Sequence, residues 1–232
     1  LTIKNKELFL LGASLGPDAS SHEDGTYDVA HFLSYSEDGT RKGIDWIKFA
    51  EKYKNDILTD EFILGYFCHL IQDALWFHDL VDKCIRCYAG EEKKLAYQRG
   101  YHDYERLNYL LINEFELAKV NFGEVNILVN EISTDKLVLG KNMFEQWFLS
   151  KPCRKEELDI YNWDIINDYI NNSVDLCLSE ISKLMQEENG LSPREATYRA
   201  MDEVSGPVVA IACVLAAVFL PTFSNNGNEL VK

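Results

Sequence analysis

The chain has 232 residues, 47% hydrophobic and 12% aromatic, enough to bury one substantial core. Its formal charge of −15, from 23 Lys and Arg against 38 Asp and Glu, excludes no small ligand but disfavours nucleic acid, whose phosphates need cation clusters the sequence nowhere concentrates. Six cysteines (Cys68, Cys84, Cys87, Cys153, Cys177, Cys213) are scattered through a chain too long to need stapling, and no signal peptide precedes Leu1, so the expectation is reduced thiols and a cytoplasmic location.

In chain order, Glu7 to Leu15 is an apolar stretch that stops at Gly16-Pro17-Asp18, where Gly and Pro break the helix and present a carboxylate on a turn. Small, polar and acidic residues from Ala19 to Thr26 predict a loop leading into Tyr27 to Tyr35 around His31, with a further loop over Ser36 to Gly43. Trp46, Phe49, Ala50, Tyr53 and Ile57 recur at three and four residues, the spacing of an amphipathic helix. A second helix starts near Thr59, with Asp60 and Glu61 suited to its positive end, and runs to about Asp82. It is apolar all round, through Phe62, Ile63, Leu64, Phe67, Leu70, Ile71, Ala74, Leu75, Trp76 and Phe77, which predicts a central position in a bundle. The Cys84-Ile-Arg-Cys87 spacing lacks the second pair or the βαβ setting of a zinc or redox module.

Glu91 to Leu117 predicts a third helix, with Asp103, Leu107, Leu110 and Glu114 on one face. Val125 to Val129 and Lys136 to Leu139 have β-type composition but are too short to build a sheet on. Ile166, Tyr169, Ile170, Val174, Cys177, Leu178, Ile181 and Leu184 give the stripe of a long helix over Asp164 to Gln186. Composition then shifts: Val208 to Leu220 contains no polar residue. The expected fold is an all-α helical bundle, divided into 1–183 and a C-terminal part, 184–232.

His69 and Asp73 stand four apart on the central helix, so their side chains lie about 40° apart on one face and can share a cation. The competing reading is a hydrogen-bonded pair that fixes helix packing. A polar pair inside so apolar a helix costs several kcal/mol in desolvation unless well satisfied, and a divalent cation is a strong way to satisfy it. His78 falls about 180° from His69, on a surface or capping position. Asp103 is a third acid on an apolar face, with a salt bridge as its alternative role. Asp18 and His31 come from turn and loop contexts, where metal-binding and catalytic groups often sit. No role is assigned to His22 or His102.

These residues lie within pieces that resemble the zinc-dependent phospholipase C family, including its uncharacterised bacterial branch, over residues 7–115 and extending towards 183. Leu11-Gly12-Ala13 with Gly16-Pro17-Asp18 resembles its metal-binding turn, Ala30-His31-Phe32 its loop histidine, Leu64 to Trp76 its central metal helix, and Asp103 to Asn108 a later helix start. The resemblance implies a helical fold holding zinc, about one to three ions, and hydrolysis of a small phosphoester such as a phospholipid head group. It implies Asp18, His31, His69, Asp73 and Asp103 as metal ligands, with Asp18, Asp73 or Asp103 handling the metal-activated water. The chain departs from that family in beginning with Leu1, where secreted members have a Trp ligand, and in having five His in all.

The C-terminal part is similar to something else. Leu184 to Ala196 running into Met201 to Ala212 resembles a transmembrane helix and its approach in RND-type efflux transporters, over about 184–222. The apolar run is short of the roughly 20 residues that span a bilayer. Three functions are therefore expected in order: a zinc-dependent phosphoester hydrolase, a non-catalytic helical metal-binding or scaffold protein, and a protein that contacts a membrane, or forms oligomers, through its C-terminal segment.

Overall fold

In the computed structural model, residues 3–37, 39, 42–123 and 127–202 are described; the apolar run 208–220 lies outside them. The described chain is almost entirely helical. Asn5 opens α1 (Lys6–Leu15) by accepting the Leu8 N–H at 3.0 Å, and Gly16-Pro17 ends it, leaving Asp18 on a single 3₁₀ turn (Pro17–Ala19). α2 (Tyr27–Ala30) delivers His31, and β1 (Leu33–Tyr35) pairs antiparallel with β2 (Lys42–Ile44). Between His31 and β1, Phe32 is held at φ 48°, a left-handed conformation costly for a bulky residue, and its ring packs edge-on against Phe49 at 5.2 Å.

α3 (Trp46–Lys52) is shorter than its apolar spacing predicts. It ends at Tyr53, whose hydroxyl donates to Glu131 at 2.5 Å and accepts the Asn130 N–H at 3.2 Å. Tyr53 and Ile57 are buried all the same, because turns over 53–59 point them inward as a helix would. Asp60 caps α4 (Glu61–Leu75) through the Ile63 N–H at 3.0 Å, and every residue from Phe62 to Asp73 is buried, which makes α4 the axis of the bundle.

Glycines set how closely α1 lies on α4. A Cβ at Gly12 would stand 2.1 Å from the Phe62 carbonyl oxygen, and one at Gly65 would stand 2.1 Å from the Phe9 carbonyl oxygen. The two helices thus touch backbone to backbone, as only mutual glycines allow.

After Leu75 the helix widens into a π turn (Trp76–Val81) and closes in α5 (Asp82–Cys84). α6 (Gly90–Glu114) and α8 (Trp163–Asn189) flank this end, where Trp76 is enclosed by Tyr104, Tyr161 and Tyr169. α7 (Thr134–Trp147) takes up residues 136–139, whose β-type composition yields to the Ser133 cap and its helical context. Residues 127–129 are irregular, and 125–126 lie outside the described residues.

α8 runs unbroken past 183. Met185, Ala196 and Ala200 belong to the same core as Phe9 and Phe67, the last two of the three from a helix over 193–202. Among the described residues no helix is long and apolar enough to cross a membrane.

Candidate metal centre

Four side chains from three elements meet where α1 ends against α4. Asp18 and His31 approach to 3.2 Å between Oδ1 and Nε2, His69 Nε2 lies 3.8 Å from the same carboxylate oxygen, and Asp73 Oδ2 lies 3.9 Å from His31 Nε2. Asp18, His31 and His69 each offer one ligand atom, and all these atoms lie within 4.8 Å of one another. His31, His69 and Asp73 are completely buried, and the Asp18 side chain is 22% exposed.

Backbone carbonyls orient both imidazoles. His31 Nδ1 faces the Tyr27 carbonyl at 3.0 Å, one turn back in α2, and His69 Nδ1 faces the Ala13 carbonyl of α1 at 2.8 Å. A carbonyl only accepts, so each Nδ1 carries the proton and each Nε2 points into the cluster. Two imidazole nitrogens and the Asp18 carboxylate then face one point, with the Asp73 carboxylate beside His31. His69 Nε2 and both Asp73 oxygens are buried with no hydrogen-bond partner among the described residues.

Such a concentration of electron-rich atoms is stable only around positive charge. Without a metal, protons must supply it. Burial pulls the His31 imidazole down, but the Asp18 hydrogen bond and the Asp73 charge outweigh it and hold His31 above its ordinary value. Burial pushes Asp18 up, yet His69 and His31 bring it below the usual carboxylate range. Burial dominates the other two members, raising Asp73 to about 7 and depressing His69 to about 4.

The donor set fits a divalent metal. Zinc takes imidazole nitrogen and carboxylate oxygen at about 2.0–2.2 Å, which puts tetrahedral neighbours about 3.4 Å apart. Asp18 to His31 at 3.2 Å and Asp18 to His69 at 3.8 Å are near that edge, whereas Asp73, 3.9 Å from His31, is not among the ligand atoms that all lie within 4.8 Å of one another. The carbonyl-bound Nδ1–H groups are the usual outer support of metal-bound histidine.

Asp103 is placed elsewhere. It is fully buried between α6 and the chain entering α8, accepting the backbone N–H groups of Asp159, Ile160 and Tyr161 at 2.7–3.1 Å and pairing with Arg106 at 2.8 Å. Its carboxylate is occupied by a structural clamp, so the structure does not bring it to the other four. His78 is exposed on the π turn and pairs with Asp79, as its angle on the helix predicts.

Sequence reasoning passed over the supporting groups. Tyr27 stacks between His22 and His31, with ring centroids 3.7 and 3.8 Å away. Burial and the Asp73 and Asp18 charges push its phenol well above its ordinary value. Arg86, paired with Asp82 at 2.9 Å and lying over the Phe77 ring at 5.1 Å, is near enough to favour the ionised form of Asp73. Tyr27 was findable as the residue one helical turn before His31; nothing in the sequence points to Ala13 as the partner of His69.

Comparison with known proteins finds similarity at the C-terminal end. Residues 172–229, about a quarter of the chain, match the AcrB/AcrD/AcrF family. A solvent-resistant pump membrane transporter, SrpB, from Pseudomonas putida is 50% identical over 44 residues, 19% of this chain and 4% of that protein. Two further Pseudomonas putida proteins, the multidrug/solvent efflux pump membrane transporter MepB and the antibiotic efflux pump membrane transporter ArpB, are each 48% identical over 44 residues, again 19% of this chain and 4% of theirs. The chain therefore spans a small fraction of the length of these relatives. No solved structure matches.

These findings correct two expectations. The similarity is to efflux transporters and not to a phospholipase C, which overturns the phosphoester hydrolase reading and the catalytic zinc chemistry that went with it. The relatives are membrane transporters, which overturns the cytoplasmic location. The transporter-like stretch is also longer than the sequence suggested: it begins at 172, inside α8, where Cys177, Ile181 and Met185 are core residues.

Proposed function

We propose that the helical part of this chain binds one divalent cation through Asp18, His31, His69 and Asp73, with zinc as the best match to two imidazoles and two carboxylates. The role is to hold helices together. The ligand atoms come from three separate elements, Asp18 on the 3₁₀ turn, His31 at the end of α2 and His69 on α4, so one ion would tie the three together. The observation that supports this is the inward direction of both Nε2 atoms beside two buried carboxylate oxygens without hydrogen-bond partners among the described residues. When bound, the cation supplies the positive charge that protons supply otherwise, and the Tyr27 and Ala13 carbonyls keep both imidazoles in the ligating tautomer.

Elemental analysis of protein purified without added metal or chelator tests it. The expected result is stoichiometric zinc in the native chain, lost in both His69→Ala and Asp73→Asn. A folded native protein that neither contains nor takes up zinc would reduce the cluster to core packing.

A second reading concerns the C-terminal segment. The match over 172–229 to a transporter family supports contact with a membrane. Full-length chain expressed in bacteria should then remain with membranes after a high-salt wash; complete recovery in the supernatant would count against it.

A further inference from the structure

We infer that the cation site controls how firmly α8 and the helix over 193–202 dock on α4, so that metal occupancy is coupled to the segment similar to efflux transporters. This rests on the proposed cation reading and goes beyond it. Side-chain hydrogen bonds join α8 to α4, among them Cys177 Sγ to the Cys68 carbonyl at 3.7 Å and the Tyr169 hydroxyl to the Gln72 carbonyl at 3.2 Å. Cys68 directly precedes His69 and Gln72 directly precedes Asp73. Both carbonyls that receive α8 therefore belong to the turn of α4 that the cation pins from the other side.

That turn stands at a junction where the helical register changes. Immediately after it the α ladder gives way to the π turn Trp76–Val81, which is one residue out of step with a continuous α-helix. Trp76, the first residue of the π turn, is completely buried and meets Tyr169 of α8 edge-on at 5.2 Å. A shift of register at the junction moves Trp76 and the Gln72 carbonyl together, and with them the seat of α8. A cation held by His69 with Asp18 and His31 ties this turn of α4 to the 3₁₀ turn and the end of α2, and so resists that shift.

From α8 the connection continues C-terminally. Ser182 and Thr197 hydroxyls are 3.2 Å apart, and Ala196 and Ala200 are completely buried in the core that contains Ile181 and Met185. α8 and the helix over 193–202 thus form one packed unit, within which the transporter-like match begins at 172. Because binding coupling is reciprocal, loosening α8 must also weaken the cation site.

Hydrogen–deuterium exchange on the full chain, with zinc and then with chelator, tests this while zinc binding is followed in the same samples. With zinc at about 100 times its Kd, exchange of α8 amides should slow by about tenfold or more, while residues 91–99 change less. Tyr169→Phe, which removes only the hydroxyl, should weaken zinc binding about fivefold. Bound zinc with unchanged α8 exchange overturns the coupling and leaves the cation site standing. Failure to bind zinc overturns both. If Tyr169→Phe does not fold, the exchange measurement on the native chain decides alone.

Discussion

Replacing Gly12 by alanine tests the chain of causes from backbone packing to the metal centre. The new Cβ would stand 2.1 Å from the Phe62 carbonyl oxygen and 2.9 Å from its carbonyl carbon, against backbone that cannot rotate aside. Real contacts of this kind are over about 3 Å, so α1 must withdraw by roughly 1 Å. Overpacking of this sort costs about 1–3 kcal/mol, and the better helix propensity of alanine returns at most about 1 kcal/mol. The same withdrawal lengthens the bond of 2.8 Å between His69 Nδ1 and the Ala13 carbonyl, releasing the imidazole from its ligating tautomer. Losing such outer support weakens metal binding about 10–100-fold. Urea unfolding gives the stability change and competition with a chromophoric chelator gives the zinc affinity. Gly43→Ala, where a Cβ meets nothing within 4 Å, is the control. Native midpoint and native zinc affinity in Gly12→Ala would refute the idea that glycine contact between α1 and α4 positions His69.

Three further outcomes are expected. Asp103→Asn should lower the urea midpoint, with a cost of about 2–3 kcal/mol from its buried charge-assisted bonds, yet leave zinc stoichiometry unchanged; loss of zinc would return Asp103 to the site. In chelator, stability should fall as pH rises from about 6.5 to 8. The folded Asp73 binds its proton up to about 7 against an ordinary 3.8, so its contribution is present at low pH and is lost through that value. The raised His31 works in the same direction, whereas the depressed His69 contributes an opposing slope only between about 4 and 6.5. A flat profile in native protein, or one that Asp73→Asn does not alter, contradicts this. Zinc binding near pH 6 should release about one to two protons, read from calorimetry in buffers of different ionisation enthalpy, and the release should shrink above pH 8; no buffer dependence would mean the site does not exchange protons for metal.

The helical class and the central position of α4 were legible in the amino-acid sequence, because burial on every side leaves a run such as Phe62 to Phe77 no polar face to present. His69 and Asp73 were legible as a pair for a related reason: the period of 3.6 fixes which residues share a face, and two polar groups on an apolar helix need a partner. Asp18 and His31 were legible as turn residues; only the fold places them beside His69. Asp103 shows the limit of such reasoning. Its burial on α6 was readable, but its partners are backbone amides of 159–161, more than fifty residues away, and no local pattern announces them.

Local sequence therefore determined the helices, their caps and the chemistry available on each face, since those depend on residues within a turn or two. Tertiary structure alone decided which faces met: the mutual glycines bring the Ala13 carbonyl to His69, the 3₁₀ turn brings Asp18 to His31, and Cys177, Ile181, Met185, Ala196 and Ala200 of the transporter-like stretch enter the core. Those contacts depend on distances between elements remote in the chain, set by the packing of the whole.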